Sequence, residues 1–206
     1  MQLTKDFYNK DYFEGKNQIA YDSYAKAGGL LNTFATWTNE LFKPESVLDV
    51  GCAYGFVVKR FQELGVPATG VEYSPYAVSR AVTQEIIEGD VRDLSRFKDN
   101  SFDLVIGTEL LEHIPEDDLF KAVKELHRVT KRWVFLLICT AGSDHIESRG
   151  GKGDPSHITM KPRWWWESLF HRLDLKRDFP KEDFANNHQQ SRQMKWAGRF
   201  FVLSKE

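Results

Sequence analysis

The chain has 206 residues, 41% of them hydrophobic and 28% charged, with a formal net charge of -2. That is the size and composition of one α/β domain with a single sizeable core. The near-neutral charge offers polyanions no general attraction, which argues against nucleic acid as the main partner. No apolar run approaches bilayer-spanning length and the start MQLTKDFYNK lacks a signal-peptide core, so a cytoplasmic location is expected.

In chain order, residues 1–44 are rich in tyrosine and phenylalanine and read as an N-terminal helical cap, with a helix over about 28–42. Residues 45–206 read as the core domain. Apolar runs with β-branched or aromatic content then alternate with stretches of helical period. The predicted strands are 46–50, 68–73, 85–89, 103–107, 133–139, 174–179 and 198–204, with helices near 55–64, 75–83 and 116–129. Ser74 before Pro75 reads as an N-cap, and Gly65 as a C-cap glycine. Alternation of this kind, with strands apolar almost throughout, means a parallel sheet covered on both faces. Such sheets bind ligands at the carboxyl ends of their strands. The polar, glycine-rich segment 140–160 has no period and reads as a lid loop. Cys52 and Cys139 each end a core strand and read as buried free thiols, so no metal site is expected of them.

The turn after the first strand, VLDVGCAYGF (47–56), is not a dinucleotide loop. Counting from Gly51, the second and third glycine places hold Ala53 and Phe56, and no Walker Gly-Lys-Ser/Thr follows. What remains is a turn in which Gly51 and Gly55 let backbone approach a ligand, beside Asp49, whose carboxylate suits a positive charge. Glu72 ends the second strand, where one carboxylate can accept from both hydroxyls of a ribose. Asp90 ends the third, where it can read a purine amine while Val91 offers its backbone amide.

Together the runs VLDVGCAYG, VEYS, EGDVRDL and FDLVIGTELLEHIPEDDLFKAVKELHRVTK resemble the class I S-adenosylmethionine-dependent methyltransferases over about residues 45–140. The resemblance implies a Rossmann-like, mostly parallel seven-stranded sheet of order 3-2-1-4-5-7-6, with the last strand antiparallel and helices on both faces. It implies S-adenosyl-L-methionine as cofactor. Gly51 and Gly55, with Cys52 and Ala53 between them, would flank its methionine part, and Asp49 would sit near its amino group. Glu72, with Tyr73 beside it, would bind the ribose, Asp90 and Val91 the adenine, and Thr108, Glu109 and Leu110 the other side. In similar enzymes an N-terminal segment folds over the cofactor; Tyr21 is the first candidate here and Tyr8 the second. The family's turn before the fifth strand is altered to TKRW.

For the chemistry, His113 in LLEHIP follows the fourth strand and could take a proton from a hydroxyl. Asp154 and His157 in DPSHIT could form a carboxylate–histidine pair. Among the three tryptophans of PRWWWESLF, Trp166 shares the core-facing stripe with Leu169, Phe170 and Leu173. Trp164 and Trp165 are left to line an acceptor pocket or lid, or to pack on the cap. The Asn-Pro-Pro-Tyr sequence of amino-methylating nucleic-acid enzymes is absent, and catechol-type acidic metal ligands are not apparent. The expected activity is therefore O-methylation of a small molecule, such as a sugar or natural-product intermediate, by a monomer or homodimer. N-methylation of a small amine, protein or RNA, and a non-catalytic cofactor-binding protein, are the competing readings.

Overall fold

The computed structural model describes residues 3–14, 28–142 and 154–205. Seven strands form one sheet in the order β3-β2-β1-β4-β5-β7-β6. They are β1 (Val47–Val50), β2 (Ala68–Glu72), β3 (Ile86–Glu88), β4 (Phe102–Thr108), β5 (Thr130–Leu137), β6 (Lys176–Arg177) and β7 (Phe200–Ser204). Neighbours from β3 to β5 are parallel, and β7 runs antiparallel to both β5 and β6. The sheet order, the antiparallel last strand and the two-sided helical cover are those the sequence implied.

The helices are α1 (Lys10–Phe13), α2 (Gly28–Phe42), α3 (Phe56–Glu63), α4 (Pro75–Ser79), α5 (Leu119–Val129), α6 (Arg163–Arg172), α7 (Phe179–Asn187) and α8 (Gln189–Gln193). Successive strand residues point to opposite faces, and both faces are buried. Val47, Leu104, Ile106, Phe135, Phe200 and Val202 meet α2 and α3 through Phe34, Trp37, Val58 and Phe61. Leu48, Val50, Val105, Val134, Leu136, Phe201 and Leu203 meet α5 and α6 through Leu119, Val123, Leu126, Trp166, Leu169 and Phe170.

The caps explain the helix boundaries. The Ser74 hydroxyl accepts from the Ala77 amide at 3.1 Å with Pro75 in the first turn, and Gly65 takes φ +81° just past α3. α4 stops at Ser79, short of the predicted 83, because the Val82 amide bonds to the Tyr54 carbonyl at 2.9 Å and draws the chain back toward the first turn. β5 begins at Thr130, directly after α5, so TKRW is strand and not a separate turn; the Thr130 hydroxyl bonds the Trp133 carbonyl at 2.8 Å. Helices α7 and α8 were not anticipated; Asp178 caps α7, accepting from the Lys181 amide at 3.1 Å, with a proline in its first turn.

The predicted cap divides into two parts with different places. Phe34 of α2 stacks on Phe135 and Phe200, and Trp37 meets the same rings edge-on, so α2 is a layer of the core and not a cover for the site. Residues Leu3–Glu14 lie over the carboxyl ends of β1 and β2, where Tyr12 and Phe13 form a small cluster with Ala53 and Ala77.

Candidate cofactor and acceptor site

A cavity of about 110 Å³, open to solvent, lies at the carboxyl ends of β1 to β4. The turn after β1 builds its floor. Gly51 takes φ +76° and donates its amide to the Val71 carbonyl at 2.8 Å. A Cβ on Gly51 would stand 3.0 Å from Leu110 Cδ1, so glycine keeps backbone and Leu110 close on the cavity wall. The next turn residue, Ala53, is also left-handed at φ 49°, which an alanine adopts only under local constraint. That constraint is visible: its amide donates to Glu72 Oε2 at 2.8 Å.

Glu72 is buried at the tip of β2, and its other oxygen accepts the Ser74 amide at 2.7 Å. Burial raises its carboxyl above the usual range, and these amides pull it back only in part. Two amides fix the carboxylate plane while leaving acceptor capacity for further donors. Asp90, after β3, is clasped by Arg92, which also bonds Asp118 at 2.7 Å. Burial would raise Asp90, but the Arg92 bonds outweigh it and hold the carboxyl low. Tyr8, Tyr73, Val91 and Glu109 complete the predicted residues on the wall, joined by Leu3, Tyr12, Phe13, Ile114 and Pro115, which sequence reasoning did not assign to the site.

Other predicted positions lie off this wall. Asp49 stands behind the turn, 2% exposed, with Oδ1 lacking a hydrogen-bond partner. Burial, reinforced by the Glu72 charge, pushes its carboxyl up to about 7. Thr108 ends β4 without reaching the wall. Cys52 and Gly55 face the core: the Cys52 sulfur packs against Gly70, and a Cβ on Gly55 would come 2.6 Å from Ile86 Cδ1. Gly55 therefore serves helix–sheet packing, and the thiol of Cys52 is pushed well up by burial. Tyr21 lies outside the described residues, as do positions 143–153 of the expected lid.

Trp164 and Trp165 do not line the cavity. Trp164 is 66% exposed on the outer side of α6, because α6 turns Trp166, Leu169 and Phe170 to the core. Trp165 packs edge-on against Trp166 beneath Lys161 and Arg172.

The two histidine candidates meet. His113 lies on the 3₁₀ turn Leu111–His113 and on the cavity wall, and its ring is 4.7 Å from that of His157, edge to face. Burial, then the His157 charge, pushes His113 down to about 4, so its imidazole is neutral over the physiological range. His157 Nε2 lies 3.9 Å from Asp154 Oδ2, and that carboxylate also accepts the Ser156 amide at 2.8 Å and the Tyr12 hydroxyl at 3.2 Å. The segment is docked by the Thr159 amide on the Glu112 carbonyl at 2.9 Å and by the Thr159 hydroxyl on the Ile114 carbonyl at 2.7 Å. Glu112, fully buried, also comes within reach of both rings: Glu112, His113 and His157 each present a metal-ligand atom within 4.8 Å of the others. Sequence reasoning did not count Glu112 among the site residues and found no acidic metal ligands. The spacing Glu109-x-x-Glu112-His113, which puts two carboxylates and an imidazole on one short turn, was the available signal.

Residues 48–138 match the family described as "Methyltransferase domain". That match covers somewhat under half of the chain, and together with the sheet order it makes the chain similar to the class I S-adenosylmethionine-dependent methyltransferases. Among curated relatives, the 2-methyl-6-phytyl-1,4-hydroquinone methyltransferase of Synechocystis sp. is 34% identical over 63% of this chain and 39% of its own length. The norajmaline N-methyltransferase of Rauvolfia serpentina is 32% identical over 58% of this chain and 41% of its own. The chain thus spans about two fifths of the length of these relatives. A solved structure of an S-adenosylmethionine-dependent methyltransferase from Archaeoglobus fulgidus shares the fold, with a TM-score of 0.67 at 16% identity over 94% of this chain and 98% of that one.

The cavity fits the superfamily's cofactor on its own terms. A side chain on Gly51 would press on Leu110 at the floor, and a fixed carboxylate stands on the wall at the tip of β2.

Proposed function

We propose that the chain transfers a methyl group from S-adenosylmethionine to a hydroxyl of a small molecule. The observation that carries this reading is the convergence of Gly51, Glu72 and Asp90 on one cavity whose far wall holds the neutral imidazole of His113. When bound, the cofactor supplies an electrophilic methyl group on a sulfonium. Glu72, its plane set by the Ala53 and Ser74 amides, would accept the ribose hydroxyls. Asp90, steadied by Arg92, would face the adenine edge with Val91. Asp49 would compensate the amino group's charge from behind Gly51.

At the acceptor end, methyl transfer requires the attacking atom in line with the carbon–sulfur bond and water kept away. Leu110, Ile114 and Pro115 make that wall apolar, with His113 as its proton acceptor. His157 and Asp154 act as positioning residues: the docked DPSHIT turn presses the His157 ring on His113. An amine acceptor is the second reading, favoured by the N-methyltransferase among the relatives; an amine attacking as the free base makes His113 dispensable.

The test is incubation with methyl-labelled cofactor and a fractionated small-molecule extract, followed by identification of what gains label. Label on a hydroxyl carrier supports the proposal. Label only in protein or RNA, or tight cofactor binding with no transfer to any fraction, would overturn it.

A further inference from the structure

We infer that Glu112, His113 and His157 form a binding site for a first-row divalent cation at the acceptor end of the cavity. The inference rests on the O-methylation reading for where the acceptor lies and revises one role in it: with Nδ1 on a cation the neutral His113 ring carries its proton on Nε2, so it holds the cation and does not take the acceptor's proton. Glu112 is fully buried; Oε1 accepts the Cys139 amide at 2.7 Å, while Oε2 has no hydrogen-bond partner. The Nδ1 of His113 is also buried without a partner. Protein interiors rarely leave a carboxylate oxygen and an imidazole nitrogen unsatisfied on neighbouring residues. One cation between them satisfies both.

The third donor is brought in by contacts built for the purpose of holding it. Thr159 pins the DPSHIT segment to the turn that carries Glu112 and His113, using both its amide and its hydroxyl. Asp154 then stands 3.9 Å from His157 Nε2 and is itself held by Ser156 and Tyr12. A carboxylate this close adds negative charge beside the ring, which favours a cation bound there. Glu109, Glu112 and Cys139 form a second group of donors equally close together. There, however, the Arg199 guanidinium already pairs with Glu109, which places the cation on the histidine side.

Two imidazoles and one carboxylate select ions of the manganese-to-zinc series over calcium or magnesium, whose preference is for oxygen. Three protein ligands leave coordination positions open. Because His113 lies on the cavity wall, those positions face the acceptor, and the ligand class they take is an oxygen donor: one hydroxyl, or two on adjacent carbons.

The test uses the whole chain, stripped with a chelator and then titrated with Co²⁺ read by its visible absorption, and with Mn²⁺ read by loss of the free-ion paramagnetic signal. Neither titration contains cofactor or acceptor, and S-adenosylhomocysteine binding is measured separately. The expected result is one equivalent bound at micromolar concentration, lost in Glu112→Gln and in His157→Ala, and weakened about tenfold in Asp154→Asn. Melting curves and S-adenosylhomocysteine affinity, unchanged in His157→Ala, exclude misfolding as the cause. No uptake of either ion at millimolar concentration by the folded wild-type chain overturns the inference, as does uptake that the variants leave intact. Methyl transfer to a hydroxyl without cation uptake removes this inference alone; cation uptake without any transfer removes only the reading above.

Discussion

Asp49 has its carboxyl pushed to about 7 by burial, against 3.8 for a solvated aspartate. Between those values the folded chain holds a proton that the unfolded chain has released. Folding without cofactor therefore weakens as pH rises from about 4 to 7, by on the order of 4 kcal/mol if the whole displacement is expressed. Asp49→Asn should flatten the dependence of melting temperature on pH across that range, and an unchanged slope would contradict the burial argument. Glu72 makes the complementary case. Its replacement by glutamine keeps the size of the side chain but gives up a charged acceptor, so S-adenosylhomocysteine should bind about ten- to a hundredfold more weakly by calorimetry. Affinity within a factor of two of wild type would remove the ribose assignment.

At the scale of elements, the turn after β1 separates two glycines that look alike in sequence. A methyl on Gly55 would meet Ile86 Cδ1 at 2.6 Å with φ at +78°, whereas a methyl on Gly51 would meet Leu110 beside the cavity. Gly55→Ala should therefore lower stability by about 1–3 kcal/mol in denaturant titration while the residual folded protein still binds cofactor. Gly51→Ala should reduce cofactor affinity as well, and equal binding losses in both would refute the distinction. On α6, Trp166→Ala should cost about 3–5 kcal/mol and Trp164→Ala under about 0.5, read from the same titrations. The β1–β5 strands, the caps at Ser74 and Gly65, and the carboxylates at the strand tips could all be read from the sequence, because each depends on local period or on a residue type with one conformational use. The destination of the tryptophans could not. Helical geometry says that Trp164 leaves the core face, but only the neighbouring elements decide whether solvent or a cavity receives it. The meeting of Glu112, His113 and His157 was hidden for the same reason: it depends on how the segment after β5 docks on the turn after β4.

For the whole molecule, the two large apolar clusters lie on opposite faces of the sheet, and residues 3–14 belong to neither. A chain lacking residues 1–14 should keep most of its cooperative melting transition yet lose cofactor affinity, since Leu3, Tyr8, Tyr12 and Phe13 leave the cavity wall. Collapse of the melting transition on that deletion would show the segment to be part of the folding unit. No helix among the described residues is long and apolar enough to cross a membrane.

The same short segment is fastened at both sides of the cavity. On one side the Ser74 hydroxyl donates to the Tyr8 carbonyl and Lys5 pairs with Glu88; on the other the Tyr12 hydroxyl reaches Asp154 and Ser156. If a bound cofactor leaves beneath this segment, release of the fastenings on one side would open its path. On the proposed reading Tyr12 would then link the adenosyl end of the cavity to the histidine segment, and Tyr12→Phe should raise the dissociation rate of S-adenosylhomocysteine in stopped-flow measurements while changing its association rate little.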